Sequence, residues 1–361
     1  MQSRFSLNLG KPFGIKLSVH WTFSLLIAYI VFISLNRGLE FIQILMHVIF
    51  VLTLFVCVVL HEFGHSLTAM KLGGKVQSIT LLPIGGMANI TEMPEKPKDE
   101  FIVSAAGPLV NIVIAGILWI YLAFGSSADP SQMEFDVITA DNFVVMLLAA
   151  NLFIVAFNLI PAFPMDGGRL FRSALAIKMS RMKATRIAKD IGQIFAIVFI
   201  FAGFFLNPFL IVIGFFIFLG ARGEYEMMKY RDILNNYTAK DIIKTDYEEL
   251  DENDSLGLAA EKLVHISNPG FVVTSGGEYS GILTKNDLVK GLNIHGKKGT
   301  VKEVMSENIE SVNIDTPLFE VFMKMHKNKY DIMPVKKDSD FKGILDSESI
   351  NEFFLIQKAL K

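Results

Sequence analysis

Long runs without a charged side chain alternate with short polar segments over the first 223 residues. Leu17 to Leu35, Phe41 to Leu60, Phe101 to Gly125 and Asn142 to Met165 contain no Asp, Glu, Lys or Arg. A helix needs about 20 apolar residues to cross a bilayer core of about 30 Å, so each run predicts one span. Ile191 to Ala221 is a fifth charge-free run. As one straight helix it would reach about 46 Å at 1.5 Å per residue, longer than the core is thick. Asn207-Pro208 in its middle predicts a hairpin of two short helices instead, extended outward through Lys189 and Arg222 by snorkelling. The pattern therefore predicts six spans.

Beyond residue 223 the pattern changes. Residues 224–237 are charged and predict a helical linker. Thr238-Ala-Lys-Asp-Ile-Ile then returns as Thr300-Val-Lys-Glu-Val-Met, an offset of 62. Asp254-Ser-Leu256 maps to Thr316-Pro-Leu318, Phe271-Val-Val273 to Met333-Pro-Val335, and Gly281-Ile-Leu283 to Gly343-Ile-Leu345, all at offset 62. Four anchors at one spacing identify a duplication, with copies at 238–297 and 298–361. Each copy predicts a short strand, a helix, a Val/Ile strand, a Gly-led strand and a second helix.

Composition sharpens the division. The 361 residues are 52% hydrophobic and 19% charged. Residues 1–223 hold 28 charged side chains and residues 224–361 hold 42, so a membrane body precedes a water-soluble module. A single soluble globule, a disordered chain and a disulfide scaffold are excluded. A net charge of −2 supplies no field for nucleic acid. The lone Cys57 reads as a small packing residue. Residues 169–189 carry seven bases and no acid, whereas 126–141 carry four acids and no base. The positive-inside rule then places the N-terminus (Arg4, Lys11, Lys16), 169–189 and, with six spans, the C-terminal module in the cytosol. Five spans would put that module outside. The first span has no cleavage site after it and is expected to be retained.

The second run leads into His61-Glu62-Phe63-Gly64-His65. Four residues turn a helix by about 400°, so both imidazoles leave one face a single turn apart and can share one zinc. Glu62 sits one residue further round, where a general base would reach water rather than the ion. Ionisable groups at membrane depth are expensive and functional by default. The third ligand expected is Asp166, in Asn158-Leu-Ile-Pro-Ala-Phe-Pro-Met-Asp166-Gly-Gly, where two prolines and two glycines break the fourth run. Alternatively, Asp166 could cap a helix or pair with Arg169, and His20 could approach the pair in space. His47 lies about 21 Å up the helix from His61 and reads as a packing residue.

These paired signatures, HEFGH in an apolar helix and NLIPAFPMDGG about 100 residues later, resemble the site-2 protease family of intramembrane zinc metalloproteases. The resemblance covers 1–223. It implies His61, His65 and Asp166 as ligands of one Zn²⁺, Glu62 as the residue activating water, and Asn158 as a substrate-positioning residue. Pro83 to Ala88 is similar to that family's Gly-containing membrane-dipping element, and reads equally as a connecting turn. A transmembrane substrate must open its helix before attack. Substrates are therefore expected to carry Gly, Pro or Asn near the cut, and a strand near 75–90 could hold the opened peptide by edge pairing.

The duplicated half resembles a tandem pair of cystathionine-β-synthase (CBS) domains. The expected fold is thus a polytopic α-helical membrane protein with a soluble α/β tandem CBS module. That resemblance implies a homodimer and an adenine nucleotide (ATP or AMP), with Thr284 at phosphate and Asp287 at ribose. In the second copy Asp346 and Ser349 stand at those places, and a carboxylate repels phosphate, so at most one nucleotide site is expected, the alternative being a purely structural dimerising pair. Two other readings compete with a regulated intramembrane protease: a CBS-regulated transporter or channel, and a catalytically silent protease relative. No inverted repeat of broken helices supports transport.

Overall fold

The computed structural model describes residues 6–83, 85–92, 96–125, 136–265, 269–307, 309–338 and 340–360. Most of the acidic 126–141 loop, Ile84 and Lys361 lie outside them. The chain divides into two compact units, 2–226 and 227–361.

The first unit is built on apolar helices. α2 (Phe41–Lys71), α3 (Pro97–Gly125) and α6 (Arg181–Phe205) are long and apolar enough to cross a membrane, and α1 (Phe23–Asn36) and α4 (Phe143–Asn158) are shorter apolar helices. α5 (Asp166–Ala176) is amphipathic and short, and α7 (Phe209–Leu234) starts with an apolar half. Local chemistry sets several ends. Glu40 and Gln43 form a capping box at the start of α2. The break at Asn207-Pro208 is present, and Asn207 Oδ1 accepts the Phe209 N–H at 2.9 Å to open α7. α4 stops at Asn158, and 159–165 is an irregular turn carrying Pro161 and Pro164.

The first run departs from expectation. Lys16–His20 is a strand, β2, and the helix that follows has only 14 residues. β2 pairs antiparallel with β1 (Ser6–Gly10) and parallel with β3 (Lys75–Leu82), which pairs with β4 (Gly85–Glu92) in a sheet ordered β1-β2-β3-β4. Leu17 and Val19 alternate with Lys16, Ser18 and His20, a period of two hidden inside an uncharged run. The sheet packs on α2 through a core of Ile15, Phe63 and Ile79. Pro83 thus directly follows β3, and Gly85 to Ala88 are the first residues of β4, paired antiparallel with β3.

The second unit repeats one motif: β5 (Glu249–Asp251), α8 (Leu256–Leu263), β6 (Gly270–Ser275), β7 (Glu278–Thr284) and α9 (Lys285–His295), then β8 (Val312–Asn313), α10 (Leu318–Asn328), β9 (Ile332–Lys337), β10 (Asp340–Asp346) and α11 (Ser347–Leu360). Even the registers repeat at 62: Leu250 faces Val273 as Val312 faces Val335, and Val273 faces Gly281 as Val335 faces Gly343. The leading segments are exchanged. Lys244 bridges to Ile344 in the second copy's sheet, and Ser306 bridges to Ile282 in the first copy's. Accordingly Ala239 is buried in the second core and Val301 in the first. The last residues of α7, Ile233 and Leu234, also join the second core.

Candidate metal centre

α2 carries His61, Glu62 and His65, α4 ends at Asn158, and Asp166 begins α5. All five line one cavity of about 660 Å³, together with Ser104, Arg169 and the Gly85–Ala88 stretch of β4. Three of them converge. His61 Nε2 and His65 Nε2 lie 3.1 and 3.0 Å from Asp166 Oδ2 and 3.1 Å from each other. His61 and His65 are buried, and Glu62 is half-buried beside them. His20 is not part of this group: its Nδ1 sits 2.7 Å from Thr22 Oγ1. His47 Nδ1 faces the Gln43 carbonyl at 2.8 Å, within its own helix.

The protons on the two imidazoles are placed by their other nitrogens. His65 Nδ1 faces the Val103 carbonyl of α3 at 2.7 Å, so it is the donor there. His61 Nδ1 faces Asn111 Oδ1 at 2.6 Å. A chain of buried amides fixes the sense of that bond. Asn151 Nδ2 donates to the Leu147 carbonyl at 2.9 Å, so Asn151 Oδ1 accepts from Asn111 Nδ2 at 2.8 Å, which leaves Asn111 Oδ1 as the acceptor for His61. With both Nδ1 atoms protonated, each Nε2 presents a lone pair. Two lone pairs and a carboxylate oxygen at about 3 Å repel one another unless a cation lies among them. Tetrahedral zinc with Zn–N bonds of 2.0–2.1 Å sets its ligands about 3.3 Å apart, so this donor set fits zinc.

Close approach shapes the same site. α3 crosses α2 at Gly107, where any Cβ would lie 2.7 Å from His61 Nε2 and closer still to His65. A Cβ on Gly86 of β4 would lie 2.5 Å from Glu62 Cγ. Asn111, Asn151 and Gly107 belong to no motif of the sequence, whereas Gly86 lies in the Pro83–Ala88 element. Two Asn side chains inside charge-free runs were a signal available in the sequence.

Thr284 and Asp287 stand in the other unit at the start of α9. Thr284 Oγ1 donates to Asp287 Oδ2 at 2.6 Å and accepts the Asp287 N–H at 3.2 Å, a helix cap. At the equivalent place Asp346 is buried, accepts Ser349 N–H at 2.7 Å and Ser349 Oγ at 2.9 Å, and pairs with Lys244 Nζ at 2.8 Å.

The model of peptidase family M50 matches residues 49–203, and the CBS domain matches 239–293 and 301–355. A zinc metalloprotease of Methanocaldococcus jannaschii is 34% identical over 348 residues, covering 96% of this chain and 95% of the relative. Stage IV sporulation protein FB of Bacillus subtilis is 28% identical over 231 residues, 61% of this chain and 73% of that protein. The solved site-2 protease from M. jannaschii is 36% identical, with a TM-score of 0.46 over 61% of this chain and 95% of that one. By sequence match along nearly its whole length, the chain belongs to peptidase family M50, the membrane-embedded site-2 metalloproteases, and carries a C-terminal pair of CBS domains.

Proposed function

We propose that this metalloprotease hydrolyses a peptide bond in or near a transmembrane helix of a membrane-protein substrate. The observation that carries the reading is the convergence of three acceptor atoms at about 3 Å with Glu62 beside them in one cavity. His61, His65 and Asp166 would hold one Zn²⁺. Zinc bound there supplies Lewis acidity, which polarises a carbonyl and acidifies water. Glu62 accepts the proton of the attacking water and returns it to the leaving nitrogen. Asn158, in the cavity wall, orients the substrate backbone through its amide. β4 is the outer strand of its sheet among the described residues, and Gly85–Ala88 face the cavity, so an opened peptide can add to that edge. Helices weakened by Gly, Pro or Asn are therefore the preferred substrates.

The charge pattern supports a protein of the cell membrane with its N-terminus, the 169–189 segment and the CBS pair in the cytosol. The CBS pair binds an adenine nucleotide at Thr284 and Asp287, regulates cleavage and joins two chains in a homodimer. A tagged single-span substrate reconstituted with the full chain in liposomes tests the reading. Product masses should place the cut within or beside the span, and replacing its Gly or Pro by Leu should slow cleavage at least tenfold. A cut confined to extramembrane loops, or equal rates for the stiffened span, would contradict it.

A further inference from the structure

A second set of charges, buried at its centre, lies in the membrane unit outside the cavity. Arg172 on α5 is 3% exposed and Glu100 on the first turn of α3 is 1% exposed. Arg172 Nε donates to Glu100 Oε1 at 2.9 Å, Nη2 donates to the same oxygen, and Nη1 donates to Glu224 Oε1 of α7 at 2.7 Å. Arg181 of α6 donates to Glu100 Oε2 at 2.8 Å. The Arg172 guanidinium also lies 5.0 Å from the centre of the buried Phe163 ring, in the turn just before Asp166. α7 touches that turn again, since a Cβ on Gly220 would come within 2.7 Å of Pro164 Cδ.

Burying such a cluster is costly, and an apolar replacement of similar volume is often as stable. Its gain is registry. Glu100 lies one helical turn before Val103, whose carbonyl orients His65. α3 also supplies Asn111, which orients His61. α5 supplies Asp166. The Glu100–Arg172 pair is thus a charged bolt between the helix that orients both imidazoles and the helix that bears the carboxylate.

We infer that Arg172 is a positioning residue for Asp166: bound to Glu100 and Glu224 and stacked on Phe163, it sets α5 against α3 and holds the carboxylate at its spacing from His61 and His65. This rests on the reading of those three residues as metal ligands. The guanidinium fork is essential to the role, because a lysine ammonium cannot hold two carboxylates and a ring face in one plane.

The experiment uses the full chain purified in detergent. Zinc affinity is measured by chelator competition, and the visible absorption band of the Co²⁺-substituted protein reports ligand geometry. Arg172→Met should lower zinc affinity 10–100-fold, the range for loss of an outer-shell partner, and shift the Co²⁺ band. Arg172→Lys should fall between Arg172→Met and the parent. Cleavage should lose kcat with KM nearly unchanged. Wild-type affinity and an unshifted band in Arg172→Met would overturn the inference. Should Arg172→Met fail to fold, Glu224→Gln decides: a threefold or greater loss of affinity with a shifted band supports the clamp, and wild-type values overturn it. Asp166→Ala separates the two readings. If it keeps wild-type zinc affinity, the ligand assignment itself fails; if it loses zinc while the Arg172 variants do not, only the clamp fails.

Discussion

His61 Nδ1 lies 2.6 Å from Asn111 Oδ1, a buried bond between α2 and α3 that makes Nε2 the free nitrogen. Such partners fix ring orientation and raise ligand basicity. Replacing Asn111 with Leu removes the acceptor and leaves a buried N–H unpaired. Zinc affinity, read by chelator competition, should drop 10–100-fold. Asn111→Asp keeps an acceptor and should lose less.

Gly107 admits no side chain, because its Cβ would press on both imidazoles. Gly107→Ala should therefore abolish both zinc retention and cleavage. Gly116, nine residues further along α3, has nothing within 4 Å of its Cβ position. Gly116→Ala should leave metal content and rate unchanged. The comparison separates a local steric effect from a general effect of alanine in this helix.

Gly86 abuts Glu62, the proposed general base, rather than the proposed ligands. A methyl group there would displace Glu62, whose Cγ lies 2.5 Å from the Cβ position. A shift of about 1 Å at a reacting group costs about 10²-fold in rate. Gly86→Ala should lower kcat by that order while zinc stoichiometry stays at the parent value.

Much of this architecture is legible in the sequence. Charge-free runs locate the cores of α2, α3, α4, α6 and α7 because lipid-facing helices tolerate no charge, and Asn207-Pro208 marks their hairpin. Leu17–His20 reads wrongly as helix because an uncharged run does not distinguish a span from a buried strand. Its partner, β3, lies about 60 residues on, so the pairing is non-local. The His pair is written in one helical turn, while Asp166 needs the later signature. The Arg172 cluster is hidden for a different reason. Residues 169–189 read as a basic cytosolic stretch, and nothing local shows that Arg172 turns inward onto Glu100 and Glu224. In the second unit the constant offset of 62 gives each copy's elements, but not the exchange of leading segments, since both copies could equally close on themselves.

Asymmetry between the copies predicts one nucleotide per chain. Asp346 is buried and paired with Lys244, and it puts a carboxylate in the second copy where the first has the Thr284 hydroxyl. Calorimetric titration of the full chain with ATP or AMP should give one site, lost in Thr284→Val and Asp287→Ala. Two equivalent sites would contradict this assignment.

Tyr279 stacks on Phe341, its counterpart at offset 62, with ring centres 4.5 Å apart and planes 12° from parallel. Its buried hydroxyl has no hydrogen-bond partner, and burial pushes the phenol up to about 12. Tyr279→Phe keeps the stack and removes the unpaired group, so stability should rise by about 1 kcal/mol. Hydrogen exchange at the Ile282 and Ile344 amides should slow about fivefold.

The central claim is that His61, His65 and Asp166 hold one zinc ion which Glu62 serves as base. Metal content per chain, measured beside substrate cleavage in the parent, Glu62→Gln and Asp166→Ala proteins, tests it most directly. The account predicts one zinc in the parent and in Glu62→Gln, cleavage only in the parent, and loss of both zinc and cleavage in Asp166→Ala. Zinc retained in Asp166→Ala, cleavage persisting in Glu62→Gln, or a zinc-loaded parent that cuts nothing would contradict it.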